Sequence, residues 1–201
     1  MKTKLISSAL ALASSLAVAE ENGIFVGVGL GYNSSHVKIE GAADSAGSSF
    51  SDKYKYNGLN YEIIAGYKQF FTPKLGARYY VNFAYANTKG DMGENSDKLK
   101  VMDYGVNADA LYNFISNYSL DLGAFLGLGL GANTYKLDNG LKKTGFNVAL
   151  NVGLRSVIHK HHGIEIAARV PFMNTTLEDV DSSKTTARQN YSIGVRYIFN
   201  F

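Results

Sequence analysis

The fold of this chain is decided by the stretch Ile24-Phe25-Val26-Gly27-Val28-Gly29-Leu30-Gly31-Tyr32. Its even-numbered positions carry large apolar side chains, and its odd-numbered positions carry mainly glycine. Because successive side chains of a β-strand point to opposite faces, this period of two predicts a strand with one bulky apolar face. A similar stretch recurs at residues 123–134, where glycine again alternates with leucine. The alternation runs straight through both stretches and no helix is indicated after them, which argues against a phosphate-binding glycine loop.

Seven further segments continue the alternation along the chain. They begin near Leu59, Leu75, Asp103, Leu120, Phe146, Ile164 and Asn190. Each segment is about 9–12 residues long, which is the length that crosses a bilayer at a tilt, whereas strands of soluble proteins are usually roughly 5–6 residues long. An even number of strands is expected for a single-chain barrel in a membrane. The sequence therefore predicts an all-β protein that forms a closed antiparallel transmembrane β-barrel of about eight strands.

The composition excludes several other classes of protein. The 201 residues are 46% hydrophobic, include no cysteine and no tryptophan, and carry a formal net charge of +3. No window of about 20 residues is apolar enough for a membrane helix. Lys2 and Lys4 lie in a segment that we expect to be removed, so the remaining chain is close to neutral and has no basic stripe for nucleic acid. The absence of cysteine excludes disulfides and thiolate metal ligands.

Residues 1–19 have the three parts of a secretory signal peptide. Lys2 and Lys4 give the positive start, Leu5 to Leu16 form an uncharged apolar run, and Ala17-Val18-Ala19 matches the small-x-small cleavage pattern. A buried N-terminal helix is the alternative interpretation. We expect residues 1–19 to be removed on export and residues 20–201 to form one outer-membrane β-barrel domain.

The predicted connections alternate in length along the chain. The longer, polar ones are about residues 34–53, 87–98, 133–143 and 173–188, and the shorter ones are Gln69–Lys74, Ile115–Asn117 and His159–His162. Short periplasmic turns and longer extracellular loops are typical of outer-membrane barrels. Residues 41–53 are rich in Gly, Ser and Ala, which predicts a flexible segment.

The strand faces opposite the apolar ones carry five acidic and five basic side chains. These residues are Glu62, Lys68, Arg78, Asp103, Asp109, Asp121, Arg155, Glu165, Arg169 and Arg196. An Arg or Lys facing the middle of a bilayer costs about 2–4 kcal/mol, so we expect these charges to face the lumen and to pair there. Such a network is either a polar plug or a charged ion path. The plug is favoured because narrow eight-stranded lumens are filled by side chains.

No combination of residues indicates catalysis or a metal centre. His159, His161 and His162 cluster with Lys160, but no carboxylate or further histidine joins them at ligand spacing, which favours a solvated turn over a metal site. Ser and Thr lie scattered in the predicted loops, and no serine has a histidine and an acid in an evident catalytic pattern. We therefore expect a protein that is not an enzyme and that has no cofactor and no metal.

The chain ends in Tyr197-Ile198-Phe199-Asn200-Phe201. Tyr197, Phe199 and Phe201 resemble the C-terminal signal by which the barrel-assembly machinery recognises its clients. Residues 22–29, 65–80, 104–114 and 162–171 resemble the Helicobacter outer membrane protein family, which includes the Hop-type adhesins and porins, and residues 70–80 are the most specific of them.

The resemblance implies the outer membrane, a C-terminal barrel and, in larger members, an extracellular adhesin domain. This chain has no large insertion after its first strand and no cysteine pairs, so it is identified as a small member without a large adhesin domain. The matched stretches imply no catalytic residue.

These observations predict an integral outer-membrane barrel with a structural or surface-interaction role that its extracellular loops carry. A small porin-like channel for ions or solutes is the alternative, and a lipid-active enzyme is a third class. The expected partners are outer-membrane lipids and lipopolysaccharide, the barrel-assembly machinery during biogenesis and a host surface ligand, but not nucleic acid.

Overall fold

The structure, a computed structural model, describes residues 20–41, 50–90, 98–117, 119–137, 140–180 and 183–201. These residues form nine strands: β1 (Gly23–Gly41), β2 (Phe50–Phe70), β3 (Leu75–Gly90), β4 (Lys98–Ser116), β5 (Leu120–Leu137), β6 (Lys142–Ile158), β7 (His162–Pro171), β8 (Thr175–Val180) and β9 (Ser183–Asn200). No helix in these ranges has the length and apolar character needed to cross a membrane. The predicted signal peptide, residues 1–19, lies outside the described residues.

The strands form one antiparallel sheet that closes on itself. Strands β1 to β7 pair in chain order, and β9 pairs with both β7 and β1. Strand β8 pairs with β9 beyond the point where β7 ends. Pro171 ends β7 because proline has no N–H to donate to a ladder. Strands β7 and β8 are therefore one interrupted strand, and the predicted closed barrel of eight strands is confirmed.

The two ends of the barrel differ. One end, the turn end, has the short connections at residues 71–74, 117–119 and 159–161 together with both Glu20 and Phe201. The opposite end, the loop end, has the connections between β1 and β2, β3 and β4, β5 and β6, and β8 and β9. In barrels of this kind the turn end is periplasmic and the loop end is extracellular.

Most strands are longer than the sequence predicted. Seven of the nine have 16 to 21 residues. The predicted connections 34–53, 87–98, 133–143 and 173–188 are therefore partly strand, and the last strand begins at Ser183 rather than near residue 190. Residues 50–53 of the predicted flexible segment belong to β2, and residues 42–49 lie outside the described residues. These bounds were predicted wrongly because, toward the loop end, the apolar side chains occupy the inward positions of the strands instead of the outward ones.

A belt of exposed apolar side chains, the lipid belt, surrounds the part of the barrel nearer the turn end. Val28, Ile63, Val81, Leu128 and Ile166 all point outward and are more than half exposed. Exposed aromatic side chains border the belt on its loop-end side at Tyr32, Tyr104, Phe146, Phe172 and Tyr191. An apolar surface of this extent is the one that contacts acyl chains, and aromatic residues mark the membrane interface.

Beyond the lipid belt the apolar side chains lie inside the barrel instead of outside. Eight buried residues pack there in a cluster that we call the apolar cap: Val37, Tyr56, Ala86, Leu99, Val101, Tyr135, Leu177 and Ala187. Outward positions on the same strands are polar and exposed, as at Asn57, Lys89 and Lys136. This part of the wall faces water, so burial of apolar groups inside stabilises it as in a soluble protein.

Glycine makes room in the wall for bulky inward groups. A Cβ atom on Gly127 would overlap both the Asp109 carboxylate and the backbone carbonyl of Ala108. The strand face on which glycine recurs in the sequence therefore leaves space for charged side chains from the neighbouring strand.

Candidate functional site: the lumen

All ten predicted lumen charges point into the barrel. Nine of them are buried, and the side chain of the tenth, Glu62, is only 9% exposed. Each lies on the face of its strand opposite the lipid belt, as the alternation indicates. Nine of these residues belong to one continuous network, which Glu20 and several asparagines complete, whereas Asp121 lies apart from it.

Arg78 on β3 lies at the centre of this network. Its Nε donates to Asp109 Oδ2 at 2.9 Å, and its Nη1 donates to Glu165 Oε1 at 2.5 Å. The guanidinium carbon also lies 4.3 Å from the ring centroid of Phe125, a cation–π contact. These three partners come from β4, β7 and β5, so the Arg78 side chain joins separate parts of the barrel wall.

Glu165 on β7 is shared by three arginines. Besides Arg78, Arg196 Nη1 lies 3.8 Å from Glu165 Oε2, and Arg155 Nε lies 4.0 Å from Glu165 Oε1. Arg196 also donates two hydrogen bonds to Glu62, at 2.6 and 3.0 Å. Opposite charges at these distances offset the cost of removing each group from water.

A second group of polar side chains surrounds Arg169. Arg169 Nε lies 3.1 Å from Asp103 Oδ1, and Arg169 Nη1 donates to Asn107 Oδ1 and Asn151 Oδ1 at 2.8 and 2.9 Å. Asn82 donates to Asp103 at 2.6 Å and accepts from Asn107 at 2.8 Å. The sequence carried a signal for this group, because asparagine repeats at inward positions of β3, β4 and β6. Its amide can both donate and accept, so it links charged groups that do not touch.

At the turn end the network closes on Glu20. Its Oε1 accepts from Lys68 Nζ at 2.5 Å and from Arg155 Nη2 at 2.6 Å, and its Oε2 accepts from Arg155 Nη1 at 2.6 Å. Burial by itself raises the pKa of this carboxyl, but Arg155 and Lys68 outweigh burial and lower the pKa to about 2. Nothing in the local sequence indicates that Glu20, which precedes β1, enters the lumen.

Among the described residues, the charged side chains of the lumen leave little free space beside them. Asp121, the last of the ten predicted charges, accepts a hydrogen bond from Ser116 Oγ at 2.5 Å. A void of about 10 Å³ lies beside Glu62, Arg169 and Arg196, which is close to the space that one water molecule occupies. Toward the loop end the apolar cap fills the barrel.

The predicted histidine cluster lies at the β6–β7 turn. His162 Nδ1 lies 2.7 Å from the hydroxyl oxygen of Tyr197, His161 Nδ1 lies 2.9 Å from a backbone carbonyl oxygen of β9, and Lys160 Nζ donates to Glu21 at 2.6 Å. In the described part of the chain, no three or more His, Cys, Asp or Glu side chains group to hold a metal. The cluster therefore packs the turn against β9 and the N-terminal segment.

The predicted assembly residues lie on the outer side of β9. Tyr197 and Phe201 are exposed, and the rings of Phe199 and Phe201 pack edge to face with centroids 5.1 Å apart. The backbone N–H of Phe201 donates to the carbonyl of Ile24 at 3.0 Å. The chain end is fixed against β1, while its aromatic side chains remain on the surface.

Comparison with known proteins agrees with this geometry. A family model described as Helicobacter outer membrane protein matches residues 62–201. No curated protein matches the chain. Among solved structures, the outer membrane protein OprG from Pseudomonas aeruginosa matches with 12% identity and a TM-score of 0.52, covering 91% of this chain and 99% of that chain.

Two further structures match less well in three dimensions. Neisserial surface protein A has 17% identity and a TM-score of 0.46, with 89% of this chain and 97% of that chain covered. The outer membrane protease OmpT from Escherichia coli has 11% identity and a TM-score of 0.37, with 94% and 100% covered. At these identities a structural match shows the fold alone, which is that of an outer-membrane β-barrel.

Proposed function

The chain belongs to the Helicobacter outer membrane protein family, and from this premise we propose that it is a non-conducting barrel whose role is structural or lies in the surface that it presents outside the cell. It is located in the outer membrane. We also propose that residues 1–19 are the export signal and that residues 20–201 form the barrel domain. The observation that carries it is the filling of the lumen by paired charges and by the apolar cap.

The filled lumen supports a plug rather than an ion path. An ion passing Arg78 would have to displace a guanidinium that pairs with Asp109 and Glu165 and lies over Phe125. Separating one member of a buried ion pair from its partner costs about 3–5 kcal/mol. Beyond this level the ion would meet the packed side chains of the apolar cap, where the hydroxyl of Tyr135 is already bonded to Asn133 and Gln189.

Planar-bilayer recording of the purified protein tests the plug. We expect no steady single-channel steps. The electrophoretic mobility of the folded barrel verifies its insertion in the same membranes. Steady steps that disappear in Arg78→Ala or Arg155→Ala, but persist in the turn variant Lys74→Ala, would establish the porin-like channel instead.

The surface role is supported by the part of the wall beyond the lipid belt. There the strands have polar outer faces and continue into the extracellular connections. We propose that these connections contact a host surface ligand, that the lipid belt contacts outer-membrane lipids and lipopolysaccharide, and that Tyr197, Phe199 and Phe201 engage the barrel-assembly machinery.

Replacement of residues 42–49 by a Gly-Ser segment of equal length tests the surface role. Cells that display this variant should bind host cells less well than cells that display the unaltered protein, at equal amounts of folded barrel. Unchanged binding after the corresponding replacements in all the extracellular connections would leave only the structural role.

We propose no enzymatic activity for this barrel. The buried ionisable groups of the lumen are bound to one another, as Glu165 is to Arg78, and are not directed at the membrane surface where a lipid substrate would lie. A deletion strain should therefore retain unaltered lipopolysaccharide. A change in its acyl or phosphate groups would contradict this part of the proposal.

A further inference from the structure

Three lysines lie side by side on the outer face of the barrel, beyond the lipid belt. Lys100 on β4 is directly opposite Lys136 on β5, and Lys136 is directly opposite Lys142 on β6. All three point outward, since the neighbouring Val101 and Tyr135 point inward into the apolar cap. We call these three residues the lysine row.

This arrangement is unfavourable without an anion. Side chains directly opposite on antiparallel strands have Cβ atoms about 4.5–5.5 Å apart, and like charges there destabilise the sheet. The ion pairs formed between described residues include none of the three lysines. Lys89 and Lys98, on β3 and β4, are a second pair of directly opposed lysines beside the row. An anion bound from outside would neutralise this concentration of positive charge.

The height of the row places it among lipid headgroups. Lys100 lies four residues beyond Tyr104, and Lys142 lies four residues beyond Phe146, toward the loop end. With a rise of about 3.4 Å per residue and a strand tilt of about 40°, this is about 10 Å beyond the aromatic border of the lipid belt. Lysine can reach back toward the membrane with its flexible stem while its ammonium group stays in the polar layer.

An apolar groove on the lipid belt lies below the row. It has a volume of about 620 Å³ and extends over the outer face of the wall from β2 to β5. The small side chains of Ala65 and Ala108 form its floor, and Val81, Val106 and Leu130 flank them. Val106 lies six residues from Lys100 along β4, which is about 20 Å along the strand. A phosphorylated lipid can therefore place an acyl chain in the groove and a phosphate near the lysines.

We propose that the lysine row binds the phosphate groups of the outer-leaflet glycolipid, lipopolysaccharide, and that the groove below holds one of its acyl chains. The inference deepens the proposed lipid contact and rests on the extracellular placement of the loop end. A membrane lipid is favoured over a soluble polyanion because the row faces sideways at headgroup height and is continuous with the lipid belt.

Titration of lipopolysaccharide onto the purified full-length barrel in a neutral detergent tests the site, with native mass spectrometry as the readout. Each lysine near an anionic membrane surface contributes about fivefold in affinity. We expect Lys136→Gln to weaken binding about fivefold, and Lys100→Gln/Lys136→Gln/Lys142→Gln about 100-fold. The matched control Lys74→Gln removes one exposed lysine at the turn end and should bind normally, and Lys136→Arg should retain binding.

A second readout separates lipid binding from a purely structural role. In neutral detergent without lipopolysaccharide, Lys136→Gln should unfold at the same temperature as the unaltered barrel or at a higher one, because a like-charge contact is removed. Once lipopolysaccharide is added, the unaltered barrel should become the more heat-resistant of the two. If Lys136 had only a structural role, Lys136→Gln would shift the unfolding temperature in the same direction with and without lipopolysaccharide.

Three results would overturn the inference. One is equal affinity of Lys136→Gln and Lys74→Gln for lipopolysaccharide. Another is equal binding of intact and dephosphorylated lipopolysaccharide by the unaltered barrel. The third is a preference of the row for a soluble sulfated polysaccharide, which would identify a soluble polyanion as the occupant. None of these results bears on bilayer conductance or on host-cell binding, so failure here is distinguishable from failure of the proposed function.

Discussion

Glu20→Ala removes the buried carboxylate that bridges Lys68 and Arg155 at the turn end of the lumen. These two cations lower the pKa of Glu20 from its ordinary 4.5 to about 2. Each pKa unit is worth about 1.4 kcal/mol, so the ionised carboxylate stabilises the fold by about 3 kcal/mol at neutral pH. Loss of one member of a buried ion pair is expected to cost about the same, because the cations remain buried.

Urea titration of the folded barrel in phospholipid micelles, at pH 7, measures this change. Far-UV circular dichroism is the suitable signal, since the chain has no tryptophan. At about 1–3 kcal/mol per molar urea, the midpoint for Glu20→Ala should fall by about 1–3 M. Glu21→Ala is the matched control, because Glu21 also pairs with a lysine, Lys160, but is 62% exposed. Exposed pairs contribute about 0–1 kcal/mol, so its midpoint should hardly move.

The difference between the unaltered barrel and Glu20→Ala should also depend on pH. The pKa of Glu20 is lower in the folded state, so its contribution is fully present above about pH 4.5 and is lost as the pH falls toward about 2. Equal losses of stability in Glu20→Ala and Glu21→Ala at pH 7 would show that the buried ion pairs of Glu20 do not stabilise the fold. A stability difference between Glu20→Ala and the unaltered barrel that persists unchanged at pH 2 would show the same.

Three other predictions concern the lumen, the wall and the chain end. Arg78→Met leaves the buried Asp109 carboxylate without an ion-pair partner and leaves Glu165 with only its two longer contacts, to Arg196 and Arg155. It should lower the free energy of unfolding by about 3–5 kcal/mol, measured by the same urea titration; a loss below 1 kcal/mol would contradict a central role. Gly127→Ala should sharply reduce the folded fraction on refolding, because its Cβ overlaps backbone and carboxylate atoms, whereas Gly29→Ala, whose Cβ would lie 3.2 Å from a flexible side-chain carbon, should refold normally in the same electrophoretic assay. Deletion of Phe201 should lower the amount of barrel in the outer membrane of cells while leaving refolding into micelles nearly unchanged, and equal losses in both would show that Phe201 acts only in folding.

The pattern of alternation predicted which residues face the lumen. Each strand exposes one face to lipid, and a charge on that face is costly, so the inward position of Arg78 or Glu165 follows from local sequence alone. The short connections near Pro73 and His159 were also predicted from local sequence, because the apolar alternation stops there.

The strand ends toward the outside of the cell were predicted wrongly because apolar alternation was taken to mean an outward apolar face throughout. Tyr56 and Tyr135 belong to strands, but they point inward, since their part of the wall stands in water. The apolar side chains change from outward to inward positions where the lipid belt ends. Only the position of the strands relative to the bilayer defines that level.

The partners within the lumen could not be predicted residue by residue. Glu20 meets Arg155, and Arg78 meets Glu165, across 135 and 87 positions of the chain. Which side chains meet depends on the register of every ladder between them and on closure of β9 against β1.

The membrane-crossing part of each strand and its inward and outward faces follow from the sequence alone, because these depend on residues close together in the chain. The tertiary structure alone decided the pairing of the buried charges, the entry of Glu20 into the lumen and the apolar cap. The lysine row was decided in the same way, since it exists only where three strands lie in register. The physical reason is that a closed barrel fixes distances between remote residues only after its last strand has paired with its first.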